Sequence, residues 1–108
     1  MGGSANQGAL TETVFYILLR LHHPAHGYAL MKDIGEMTDH RVSPGAGTLY
    51  GALETLQKKG WVTPLEGRTD GRKKEYVITD EGRRVFERDV KRLEELLENA
   101  RKLKGELS

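Results

Sequence analysis

The stretch SPGAGTLYGALETLQKKGWVTPLEGRTDGRKKEYVIT, residues 43–79, decides the fold. Its first half reads as a helix. Ser43 is placed to cap an N-terminus, and Pro44 to take the first helical position, where a missing N–H costs nothing. Leu49, Leu53 and Leu56 recur at helical spacing, and Gly60 ends the element. Two strand-like runs follow, over 61–66 and 73–78, joined by a turn over 67–72. Pro64 has no N–H to give a ladder, so its strand belongs at an edge. Arg68, Arg72, Lys73 and Lys74 cluster at or beside the tip.

A polar-ended helix beside a basic two-stranded ribbon suits a DNA duplex. The helix has the shape to enter a major groove, and the ribbon carries cations to the neighbouring backbone. The expected fold is therefore mainly α (α+β): a winged helix-turn-helix with a long C-terminal dimerisation helix. The expected division is a flexible N-terminus over 1–8, a DNA-binding domain over 9–79 and a dimerisation helix over 80–108.

The flanking sequence supplies the rest. A first helix is predicted over 10–21, because Leu10, Val14, Ile17, Leu18 and Leu21 make one stripe. Phe15 and Leu19 make a second stripe on another face, so this helix is expected to touch two neighbours. Pro24 and Gly27 break it. A second helix over 28–37 turns Leu30, Ile34 and Met37 inward, with Gly35 weakening it by roughly 1 kcal/mol relative to Ala. Thr79 caps a fourth helix, with Asp80 and Glu81 complementing the dipole of its first turn. That helix runs to about residue 104, or roughly 37 Å, longer than a small core can cover. Phe86, Val90, Leu93, Leu97 and Ala100 alternate by four and three, the pattern of a two-stranded coiled-coil seam. A homodimer is the expectation.

Charge distribution agrees. The chain carries +1 overall, but residues 41–79 hold seven cations against four carboxylates, while residues 1–40 are net acidic and residues 80–108 are balanced. A local basic patch is what phosphate neutralisation requires. Within it, Ser43, Gly45, Ala46, Thr48 and Tyr50 are the candidates at the helix start. Thr48 could bond a base or phosphate, Ala46 could meet a thymine methyl, and Tyr50 could reach a phosphate. The wing candidates are Arg68, Arg72, Lys73 and Lys74. Lys58 and Lys59 read instead as charges that complement the helix C-terminus, and Trp61 as core packing.

Other chemistries find no support in the pattern. The 108 residues fit one domain, and zero cysteines exclude a disulfide scaffold or a Cys-ligated zinc site. His22, His23 and His26 straddle a Pro/Gly loop without a carboxylate at ligand spacing, so no metal and no cofactor are expected. Gly45-Ala46-Gly47-Thr48 lacks the Lys-Ser/Thr end of a phosphate-cradling loop, and no nucleophile triad is readable, so no enzyme is expected. No apolar run is long enough for a bilayer and no signal-peptide pattern is visible, so a cytoplasmic location without membrane partner is expected.

Several motifs occur together in order: LTETVFYILL (10–19), HGYAL (26–30), VSPGAGTLYGALETLQKKGWV (42–62), GRKKEYVIT (71–79) and TDEGRRVF (79–86). Through these the chain resembles the PadR family of bacterial transcriptional regulators, in its short form with a single C-terminal helix. The resemblance covers about residues 10–104. It implies a winged-helix dimer on a palindromic double-stranded DNA operator, usually a repressor, released by a small aromatic or lipophilic effector. Val14, Phe15 and Leu18, facing Val90, Leu93 and Leu97 across a dimer axis, are the candidates to frame an effector cavity. The competing expectations are a winged-helix protein-interaction adaptor and a small-molecule-binding module without DNA function.

Overall fold

The protein is described from a computed structural model, over residues 8–65 and 74–107. Seven elements follow in order: α1 (Glu12–Arg20), β1 (Ala25–His26), α2 (Gly27–Met37), α3 (Ala46–Lys59), β2 (Val62–Pro64), β3 (Glu75–Ile78) and α4 (Asp80–Leu107).

Three helix starts have a local cause. Thr11 caps α1, its Oγ1 accepting the Val14 N–H at 3.2 Å. His26 caps α2, its Nδ1 accepting from Ala29 N at 3.3 Å. Thr79 caps α4, accepting from Gly82 N at 3.0 Å while donating to the Gly60 carbonyl at 2.6 Å. The start of α3 corrects the sequence expectation. Its N-cap is Gly45, with no side-chain cap, so Ser43 and Pro44 lie ahead of the helix. The reason is tertiary. Val42 is buried, and its N–H donates to Thr38 Oγ1 at 3.0 Å, which in turn donates to the Ile34 carbonyl at 2.9 Å. That anchor holds the connection to α2 and delays the first helical turn.

The turn between α2 and α3 passes through Asp39 and His40, both left-handed at φ 53° and 64°. The His40 N–H then reaches the Gly35 carbonyl at 2.6 Å. This turn folds over Gly35, not over Met37, so Met37 is exposed where the periodicity placed it inward.

The sheet has order β1-β3-β2, all antiparallel. Val62 faces Ile78 and Pro64 faces Tyr76, so β2 is the edge strand that its proline requires. On the other side Ala25 pairs with Tyr76 and His26 with Glu75. The core sits between the three short helices, the sheet and the start of α4. Ile17, Leu18, Leu30, Ile34, Leu49 and Leu53 are its fully buried centre, with Val85 and Phe86 of α4 closing one side. Gly82 lets α4 cross the start of the wing, since a Cβ there would collide with the Trp61 carbonyl oxygen. Beyond residue 92, α4 carries only exposed residues through 105 and stretches the molecule to 57 Å along its longest axis.

Candidate nucleic-acid interface

The outward face of α3 is low and uncharged at its start. Ala46, Gly47, Thr48, Tyr50 and Gly51 are exposed, while Leu49 and Leu53 point into the core. The first turn has no acidic residue, and no side chain caps it. Its leading N–H groups therefore lack a side-chain acceptor, the arrangement that favours an anion. Nothing lies within 4 Å of a Cβ built on Gly45, Gly47 or Gly51, so this face is open to a close-approaching backbone. Ser43 is exposed but belongs to the preceding turn, near Gly35.

Tyr50 is held differently from its neighbours. Its ring lies over Gly27 so closely that a Cβ on Gly27 would overlap the Tyr50 phenol. The contact pins the N-terminal half of α3 to the first turn of α2. Tyr76 lies close enough to Tyr50 for the two phenols to influence each other. Burial raises the Tyr76 hydroxyl above its ordinary pKa, and Tyr50 adds to the shift. Next to Gly27, Tyr28 is 66 % exposed, the most exposed large hydrophobic side chain among the described residues. The sequence reading missed it as a surface group. Its signal was the step from a breaker glycine straight into a tyrosine at a helix start.

Lys74 is exposed at the entry to β3 and makes no ion pair among the described residues. Arg68, Arg72 and Lys73 lie outside the described residues. Four other cations of the domain are ion-paired. Arg20 meets Asp33 at 2.7 Å, Lys32 meets Glu36 at 3.1 Å, and Lys58 meets Glu54 at 3.8 Å. Arg41 meets Glu12 at 2.7 Å, and that bond holds its guanidinium above the usual arginine range. Lys59 stands 5.0 Å from the Trp61 ring centroid.

The residues chosen for a seam separate along α4. Phe86 is 6 % exposed and packs on Phe15, with ring centroids 4.9 Å apart. Val90 is half-buried against the same core. Leu93 and Leu97 are 40 % and 51 % exposed, and Ala100 is exposed. Leu96 and Leu103, which the seam reading omitted, are exposed to a similar degree. The effector candidates diverge too: Leu18 is fully buried, Phe15 faces Phe86, and Val14 lines a surface cleft towards α3. Val14, Phe15 and Leu18 thus enclose no common space within one chain.

His22 Nδ1 lies 2.9 Å from the Leu18 carbonyl, and its ring meets Phe86 edge-on. Among the described residues no three His, Asp or Glu side chains converge as metal ligands. No described helix is long and apolar enough to cross a membrane.

Three short helices, a small antiparallel sheet and a long terminal helix define a winged helix-turn-helix. The pattern of the transcriptional regulator PadR-like family matches residues 14–88, and the chain belongs to that family. Its members are transcriptional regulators rather than enzymes. A PadR family transcriptional regulator from Eggerthella lenta is 32% identical, with a TM-score of 0.68, over 83% of this chain and 79% of that one. RosR from H. salinarum is 32% identical, with a TM-score of 0.63, over 83% of this chain and 76% of that one. The transcriptional regulator YqjI of Escherichia coli is 31% identical over 87 residues, 81% of this chain and 40% of that protein. A transposon-encoded 37.1 kDa protein of Streptomyces fradiae is 42% identical over 67 residues, 62% of this chain and 18% of that protein. The chain thus spans less than half the length of these two curated relatives.

Proposed function

We propose that the protein is a cytoplasmic repressor that binds a palindromic operator as a homodimer and releases it when a small lipophilic molecule binds. The observation that carries this reading is the start of α3. It is exposed, free of carboxylates and uncapped, and Tyr50 and Tyr28 are both exposed. In the proposed complex α3 lies in the major groove. Thr48 reads a base edge or phosphate, Ala46 meets a thymine methyl, and the glycines let the backbone come close. Tyr28 and Tyr50 reach phosphates on either side, as the first helix of the motif crosses the backbone. Ser43, ahead of the helix, is a further phosphate donor. Arg68, Arg72, Lys73 and Lys74 meet the flanking backbone through the wing.

The homodimer forms through the exposed stripe of Leu93, Leu97 and Ala100, extended by Leu96 and Leu103. Phe86 and Val90 support that seam from inside their own chain. Two-fold symmetry then sets the half-sites about one helical turn apart.

The test is a titration of operator DNA, taken from the region upstream of the gene, at several salt concentrations. The double variant Arg72→Ala, Lys74→Ala should weaken binding to every sequence. It should also flatten the slope of log affinity against log salt by about 0.9 for each phosphate no longer neutralised. An unchanged slope removes the wing from the interface. No binding to any DNA at low salt removes the whole reading in favour of an adaptor.

A further inference from the structure

Between the C-terminal half of α3 and the segment leading into α1 lies a surface cleft of about 620 Å³. Leu10, Val14, Ala52 and Leu56 form its walls, and Lys59 and Trp61 stand at one end. The walls are mainly aliphatic, with the Thr11 and Thr55 hydroxyls beside them. The aromatic ring at the end, Trp61, already has the Lys59 ammonium 5.0 Å from its centroid. Among the described residues no carboxylate side chain lines the cleft, so the formal charge at its wall is the Lys59 cation. A largely apolar cleft whose lining holds one cation and no carboxylate suits a molecule with an apolar tail and one negative head.

The cleft also touches both moving parts of the proposed regulator. One wall is α3 itself. The other, at Leu10, is tied to α4: the Leu10 N–H donates to Asp89 Oδ1 at 3.4 Å. Asp89 is only 2 % exposed and is paired with Arg92 at 2.9 Å. A buried carboxylate with few partners is costly to disturb, so displacement of the Leu10 segment is felt along α4.

We infer that this cleft is an effector site within a single protomer, and that its ligand is a medium-chain fatty carboxylate. The carboxylate pairs with Lys59, and the alkyl chain lies along Leu10, Val14, Ala52 and Leu56. The regulatory half of the inference rests on the DNA-binding reading above. A ligand that changes the spacing of α3 and the Leu10 segment shifts DNA affinity, and by linkage DNA shifts the affinity for the ligand.

Trp61 is the chain's single tryptophan, so its fluorescence reports the site directly. Decanoate is titrated below its micelle concentration into the full chain, with decanol and decyltrimethylammonium in parallel. The expected result is a saturable change with decanoate alone. In Lys59→Met the midpoint rises about tenfold, which corresponds to about 1.4 kcal/mol, whereas Lys59→Arg keeps the wild-type midpoint. The inference is overturned by no saturable change up to about 1 mM decanoate, a millimolar affinity being the weakest worth calling a site. An equal response to decanol, or an unchanged midpoint in Lys59→Met, overturns it too. So does a Trp61 spectrum that depends on protein concentration and ignores decanoate, since a second copy then fills the cleft. The titration contains no DNA, so its failure is distinct from failure of the operator reading. A gel shift with and without decanoate then tests the regulatory half, and an unchanged shift overturns that half.

Discussion

Gly27→Ala probes the joint between the two helices of the DNA-binding motif. The new methyl would overlap the Tyr50 ring, which lies against the Gly27 backbone. Tyr50 is half-exposed, so the ring can swing outward rather than deform the core. Overpacking of this kind costs about 1–3 kcal/mol. Against it, replacing glycine in the first turn of a helix recovers up to about 1 kcal/mol of backbone entropy. The expected net loss is about 0–3 kcal/mol. The decisive comparison is with Tyr50→Ala, which removes the obstacle. In that background Gly27→Ala should be neutral or should stabilise by about 0.4–1 kcal/mol. Urea denaturation of the four proteins, read as midpoints at constant slope, gives a coupling energy of about 1–3 kcal/mol. DNA affinity should fall in Gly27→Ala, because the displaced Tyr50 no longer presents its hydroxyl from a fixed place. Additivity within about 0.5 kcal/mol would refute the packing argument.

Gly82→Ala should be the more damaging glycine change, by about 3 kcal/mol or more in thermal unfolding, because its obstacle is the Trp61 backbone carbonyl and not a movable ring. A loss under about 1 kcal/mol would show that α4 can shift at no cost. Burial raises the Tyr76 hydroxyl above its ordinary value near 10. Its stabilising contribution is complete below about pH 10, where the unfolded phenol is still protonated, and is lost as pH rises through the higher folded value. Tyr76→Phe should therefore make the alkaline decline of melting temperature shallower between about pH 9 and 12. Parallel curves for the two proteins would show that another group controls that decline.

What the sequence made legible was what repeats. Leu49, Leu53 and Leu56 recur on one face, and all three are buried. Pro64 marked an edge strand, and β2 is that edge. The third strand was not legible, because two residues carry no period. Ala25 and His26 sit between Pro24 and Gly27, which read as punctuation, and they pair with β3 only through tertiary contact. The start of α3 was misread for a related reason. Ser43 and Pro44 have the right local chemistry, but Val42 and Thr38 fix the chain differently. The exposed small residues at the start of α3 were legible in the sequence, whereas Tyr28 and the cleft beside Lys59 were not. Those depend on which helices come together, which no spacing within one segment records.

The stripe on α4 reads as one feature in sequence, yet only its start is covered within the protomer. Of its residues Phe86 is covered and Val90 half-covered by their own chain, with Val85 buried beside them, whereas Leu93, Leu97 and Ala100 are exposed, as are Leu96 and Leu103. On the homodimer reading this division has a thermodynamic signature. Val85→Ala leaves a cavity in the protomer, which should cost about 2 kcal/mol whatever the protein concentration. Leu97→Glu leaves the protomer core intact but places a charge in the seam of each copy. Its melting temperature should cease to rise with protein concentration, because mass action no longer contributes, while the wild-type value keeps rising. Sedimentation should then find a folded monomer with weakened operator binding. If wild type shows no concentration dependence, or if Leu97→Glu remains a dimer, the exposed leucines are not the seam. The length of α4 beyond the core would then need another partner.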